Sequence, residues 1–172
     1  MAADIQAAMT VIGRRRIRYD RDPIELYGTD LSNLILLNSW LAGVDLISSN
    51  LAHAFVSGTT FAGSRLPNTN LIRARLDGSD LTGAWMSGAN LTDASLIGAV
   101  LTQTVLKEAI LVRATLHKAI IDDTTDLTDA DLTDALWPSD AIPPEGWERD
   151  TSSGRLKRAD PSTHLDVAAR EP

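Results

Sequence analysis

Residues 79–101 read SDLTGAWMSGANLTDASLIGAVL, and Leu81, Met86, Leu91, Leu96 and Leu101 stand five apart in them. A step of five advances about 140° round an α-helix, so these side chains would spread over its whole circumference. On a flat strand the same step reverses the face each time and sends alternate leucines into water. The spacing therefore predicts a chain that turns once in every five residues.

The register runs unbroken from Leu26 to Ile121, twenty consecutive pentads with an apolar centre. Two positions before most centres stands a small residue, as in Thr59, Ser64, Thr69, Ala74, Ser79, Ala84 and Ala89. In an extended segment that position shares the side of the centre, so both face inward and the residue between them faces out. The intervening position is often Asp or Asn: Asp30, Asp45, Asn50, Asn70, Asp80 and Asn90. Eight of the eleven glycines fall two residues after a centre, at 28, 43, 58, 63, 78, 83, 88 and 98. Glycine at a fixed offset marks a repeated bend with positive φ. If each pentad turns the chain by about a right angle, four pentads close a square coil and the next coil stacks on it. At about 4.8 Å per coil, about six coils make a rod roughly 28 Å long.

The pattern A(D/N)LXX, clearest in ANLTDASLIGA at residues 89–99, resembles the pentapeptide-repeat family. The resemblance covers about residues 24–136. It implies a mainly β fold, a right-handed quadrilateral β-helix, with the handedness coming from the family and not from the spacing. The segment DIQAAMTVIGRR also resembles what precedes the repeats in many actinobacterial members.

The expected organisation has four parts. Residues 1–23 form a short N-terminal capping helix and a basic linker carrying Arg14, Arg15, Arg16 and Arg18. Ile5, Ala8, Met9 and Ile12 give the helix its apolar side, Asp4 is its N-cap and Gly13 follows its last turn. A membrane-surface role for this basic segment is the lesser alternative. Residues 24–137 form the β-helix, with a wider first coil where Ile24, Leu34 and Val44 replace the small inward residue. After Ile121 the register slips by one through DDTTDL and resumes at Leu127 and Leu132, which predicts a bulge. Residues 138–150 form a Pro-rich C-terminal cap with Trp147 packed back on the solenoid. Residues 151–172, polar and mixed in charge, are expected to be a disordered tail.

Few residues suggest chemistry. There is no cysteine, so disulfides and thiolate metal sites are excluded. His53 and His117 occupy outward positions on different coils and His164 lies in the tail, so no pair has metal-ligand spacing. The glycines follow the five-residue bend and build no phosphate loop. A filled solenoid offers little concavity for catalysis. The expectation is a non-enzyme without cofactor, metal or catalytic residues. No signal segment or bilayer-length apolar run is evident, and a cytoplasmic location is expected.

Function then falls to the outer faces. Val100, Val105, Ile110 and Ile120 replace the polar outward residue in the last pentads before the slip, and Trp40, Phe55 and Trp85 occupy the same outward position. This apolar girdle is the candidate interaction surface for a protein partner or a second copy. A second candidate surface is acidic: Asp80, Asp122, Asp123, Asp126, Asp129, Asp131 and Asp134. The formal net charge of -7 argues against direct nucleic-acid binding. The resemblance supplies an alternative to a protein-interaction scaffold, namely an acidic rod that mimics duplex DNA and binds DNA gyrase or another topoisomerase. Arg65, Arg73, Arg75 and Arg113 interrupt three of its four faces. A calcium site in the terminal Asp cluster is disfavoured because the Asp-x-Asp-x-Asp-Gly spacing is missing.

Overall fold

In the computed structural model, which describes residues 2–13 and 24–160, the pentads close into stacked square coils. The expected basic linker and His164 lie outside the described residues. Outward residues twenty apart pair in parallel up each face. Asp30, Asn50, Asn70, Asn90 and Ile110 form one ladder, and Ile35, Phe55, Arg75, Ser95 and Thr115 the next. Trp40, Thr60, Asp80, Val100 and Ile120 form the third, and Glu25, Asp45, Arg65, Trp85 and Val105 the fourth.

Each pentad turns in the same way. The inward small residue donates its N–H to the carbonyl of the preceding centre, as Ala84 does to Leu81 at 2.9 Å. The turn's third residue has positive φ at every pentad from 28 to 118, +64° at Gly83 but also +58° at Asp93 and +59° at Glu108. That is the backbone of a type II turn, which glycine adopts without steric cost and Asn or Asp tolerate best. The Asp or Asn before each centre does more than face water. Oδ1 of Asp30, Asp45, Asn50, Asn70, Asp80 and Asn90 accepts the N–H two residues on, at 3.0 to 3.2 Å. Asp126 and Asp131 repeat the bond at 2.9 and 3.0 Å. This outward residue therefore caps the bend that follows it.

The centres fill the shaft. Leu66, Leu71, Leu76, Leu81, Met86, Leu91, Leu96 and Leu101 are fully buried, with Phe61 the largest side chain among the enclosed centres. Buried hydroxyls are satisfied within the same shaft. Thr59, Ser64, Thr69, Ser79 and Thr104 donate to the carbonyls of Leu36, Leu41, Leu46, Val56 and Leu81, each on the preceding coil. Small inward residues thus serve as spacers, and some also tie consecutive coils together.

The slip stands where the sequence places it. Val100 pairs with Ile120 across twenty residues, but Val105 pairs with Asp126 and Ile110 with Asp131 across twenty-one. The extra residue lies in the Asp122–Thr125 turn, closed by a 3.1 Å hydrogen bond from Thr125 to Asp122.

Both ends are covered. Helix α1 spans Ala2–Gly13, so Asp4 lies within it and not before it, correcting the N-cap reading. Gly13 is its last residue and has no positive φ. Its smallness serves a close approach instead, since a Cβ there would stand 2.7 Å from Oγ of Ser39. Met9 is buried against the first coil, with Ile12 partly so. At the other end, β1 (Trp147–Arg149) and β2 (Leu156–Arg158) form an antiparallel hairpin. It corrects the expected tail: residues 151–160 continue the cap, and Leu156 is buried with Trp147 and Trp137. Polar composition misleads there because a single apolar residue, Leu156, anchors the returning strand.

Candidate functional site

The four faces receive the girdle residues unequally, because consecutive outward positions belong to consecutive faces. Val100 and Ile120 are neighbours on one face, and Trp85 and Val105 on the next. These four meet across one edge of the rod. Ile120 and Trp85 are about half exposed, at 54% and 52%, while Val100 and Val105 are half-buried. The Trp85 indole N–H donates to Oγ of Ser87 at 2.9 Å, which fixes the ring. Arg65 precedes Trp85 on its face and Asp126 follows Val105, so the apolar edge has polar limits.

The other members differ in how near they stand, Ile110 being the outward position after Val105 on the following face. Ile110 lies on the face of the Asn ladder, between Asn90 and Asp131. Phe55 pairs with Ile35 and Arg75, and the Arg75 guanidinium lies 5.6 Å from the centre of its ring. Trp40 shares a face with Val100, but Thr60 and Asp80 stand between them. Val100, Val105 and Ile110 thus follow one another round the rod on three faces, with Ile120 and Trp85 on the first two, while Trp40 and Phe55 stand apart. Stacking the pentads by twenty residues already groups outward positions into these ladders, and the parallel pairing follows them up to the slip.

The acidic set also divides. Asp80 pairs with Thr60 and Val100, away from the terminal cluster. Along the rod, acids are matched by bases: Arg65 meets Asp45 at 2.9 Å, and Arg113 grips Asp93 through two hydrogen bonds of 2.7 and 2.9 Å. Arg113 holds the Asp93 carboxyl below its usual range, and Asp93 in turn raises Arg113. Asp126 is likewise lowered, first by its hydrogen bonding to Thr128.

Beyond the slip, Asp122, Asp123, Asp126 and Asp129 line a cavity of about 1040 Å³ at the C-terminal end. Asp140 and Glu145 join them, with Trp137 and Trp147 in the wall and Arg158 at its border. The Arg158 guanidinium lies 4.2 Å from the centre of the Trp147 ring. Asp131 and Asp134 do not line this cavity. Sequence reasoning missed Trp137, although it sits five residues after Leu132 and so continues the register of centres. Among the described residues no group of three or more His, Asp or Glu side chains is placed to hold a metal, and His53 and His117 are exposed on separate coils. No helix of the described residues is long and apolar enough to cross a membrane.

The family model described as "Pentapeptide repeats" matches residues 24–61, 57–93 and 89–125. No curated protein sequence matches the chain. A pentapeptide repeat protein (Rfr23) from the cyanobacterium Cyanothece 51142 is structurally similar, with a TM-score of 0.59 and 22% identity over 60% of this chain and 84% of that one. A pentapeptide repeat protein from the Arabidopsis thaliana thylakoid lumen is 24% identical over 66% of this chain and 79% of that one, at a TM-score of 0.38. QnrB1, a plasmid-mediated fluoroquinolone resistance protein, is 14% identical over 66% of this chain and 70% of that one, at 0.36. At such identities these likenesses speak to the fold alone, and the last two scores are too low to carry weight. The fold is the right-handed quadrilateral β-helix.

Proposed function

The chain belongs to the pentapeptide-repeat family, and from that premise we propose that it is a non-enzymatic scaffold whose apolar corner seats a protein partner. The observation that carries this reading is the meeting of Trp85, Val100, Val105 and Ile120 on two adjacent faces whose other positions are mostly polar. Contiguous apolar surface on a rigid rod, limited by charge on either side, has the anatomy of an interface core with a polar rim. The shaft behind it is solid, so recognition uses the outside.

The test compares co-purification from the native cell by the wild-type chain and by a Val105→Asp/Ile120→Asp variant. Both positions face outward, so the variant is expected to retain its β-sheet circular dichroism and lose the partner. Retention of the partner by a folded variant would discard the reading.

The alternative, binding to gyrase as a DNA mimic, rests on the acids beyond Ile121. They occupy the last coil and the cap, whereas a duplex-like surface needs carboxylates along the length of a face. Arg65 and Arg113 neutralise Asp45 and Asp93 where such a row would run. Unaltered gyrase supercoiling across a wide range of added protein would remove it.

A further inference from the structure

The last coil ends on a strand edge that the described chain leaves partly open. In the preceding coil Leu106 donates its N–H onward to Asp126 at 2.7 Å and Glu108 to Thr128 at 2.9 Å, and Leu111, Arg113 and Leu116 do likewise. The hairpin supplies such acceptors to Asp134 and Trp137, through the carbonyls of Leu156 and Gly154. The N–H groups of Leu127, Asp129 and Leu132 have no acceptor among the described residues. Leu127 and Asp129 belong to the wall of the acidic cavity. Trp137 is in the same wall, 2% exposed, and its indole N–H is buried without an acceptor. Six carboxyl side chains line this cavity against one base, and that base already stacks on Trp147. Its unmet needs are therefore carbonyl acceptors and positive charge, which an extended basic peptide supplies together.

We propose that the Arg14–Arg21 segment of a second copy occupies this cavity as an added strand, joining the rods head to tail. The segment reads RRRIRYDR, five arginines against one aspartate. In an extended strand Arg16 and Arg18 fall on one side, toward the carboxylates, and Ile17 and Tyr19 on the other. Its carbonyls receive the open N–H groups. The same copy cannot supply it. Anchored at Gly13 and Ile24 on the first coil, ten residues reach at most about 19 Å from either anchor. The cavity begins four coil spacings from Gly13, which is held at Trp40, and five from Ile24, about 19 and 24 Å, so the path out and back of about 43 Å exceeds the roughly 38 Å that eleven steps span. Residues 161–172 carry Asp166 and Glu171 against Arg170, so their charge does not match.

Sedimentation velocity of the full chain over a concentration series tests this. Association is expected at 50 mM NaCl and at least about tenfold weaker at 500 mM, because screening shortens the reach of the charges. Arg16→Glu/Arg18→Glu and Asp123→Lys/Asp129→Lys are each expected to abolish it, and a one-to-one mixture of the two variants to restore it. Lysine suits the positive φ at 129, since Lys118 already adopts +58°. Should either variant fail to fold, a labelled peptide of residues 13–22 added to the wild-type chain gives the same answer by binding and dissociating the assembly. A monomeric wild-type chain at every concentration overturns the proposal, even if it binds the peptide. So does association that ignores both charge pairs, or that Val105→Asp abolishes, since the apolar corner would then be the contact. Loss of co-purification by Val105→Asp/Ile120→Asp with head-to-tail association intact separates this proposal from the scaffold reading.

Discussion

At its N-terminal end the shaft is met by a helix, and at its C-terminal end by a two-stranded hairpin. The two differ in shape but answer the same demand. A coil edge presents unpaired peptide groups as well as apolar centres, and both must be met. Helix α1 has few free backbone groups, so it borrows a side chain. Gln6 accepts from the Ile35 N–H at 2.9 Å and donates to the Ile35 carbonyl at 2.6 Å, copying a strand residue with its amide. The carbonyl of Gly13, free at the helix end, accepts from Trp40 at 2.8 Å. The hairpin instead offers real strand: Leu136 pairs with Arg155, and Leu156 both accepts from Asp134 and donates to Ala135. Covering a solenoid end is a hydrogen-bonding problem first. Its apolar part is carried by one or two side chains, Met9 at one end and Trp147 with Leu156 at the other.

The middle of the shaft has no such weakness, and the comparison between middle and ends can be broken there. Phe61 is fully buried in a stacked coil, and Phe61→Ala should lower global stability by about 3–5 kcal/mol, seen as a single displaced thermal transition. A loss under about 1 kcal/mol would mean that the coils collapse onto the void and that the middle is no more rigid than the caps.

A smaller and local loss is expected at the helical end. Gln6→Ala removes both hydrogen bonds to Ile35, and a weaker one to Thr10, and should cost about 1 kcal/mol. Its signature in hydrogen exchange is faster loss of protection at Ile35 with Leu91 and Leu96 unchanged. Uniform acceleration along the chain would show that cap and coils form one cooperative unit.

Smallest is the effect of acid on the hairpin. Hydrogen bonds from Ser152 and Ser153 hold the Asp150 carboxyl far below its ordinary range. A depressed carboxylate stabilises fully above its unfolded pKa, about 3.9, and that contribution is lost as pH falls toward the lower folded value. Exchange at Gly154 should therefore be flat from pH 7 to 5 after correction for intrinsic rates, then rise below about pH 4. Asp150→Asn should abolish the step, and a step that persists would place the sensitive carboxylate elsewhere.

The twenty centres, the glycines after them and the slip after Ile121 were legible because each is a local choice repeated at a fixed interval. Repetition lets a weak preference accumulate into a pattern that few other folds share. The bend explains why the third turn residue is Gly, Asn or Asp so often, and Asp93 and Asn68 keep their positive φ for that reason. The outward polar residue was legible as outward, but its bond to the following turn was not, because alternation reports a face and not a partner. The cap beyond Asp150 was obscured by its polarity, since Leu156 alone among serines and basic residues gives no periodic signal.

The sequence by itself determined a chain that bends every five residues, keeps its large side chains inside and breaks register once. These are properties of neighbours along the chain, set by turn chemistry and side-chain size. Tertiary structure alone decided that Val105 pairs with Asp126 across the slip, and that Asp122, Asp123, Asp126 and Asp129 share a cavity with Asp140, Glu145 and two tryptophans. Contacts between coils depend on how four bends close a square, and around the cavity they depend on where the hairpin returns. Both are set by global closure, which no local stretch of residues encodes.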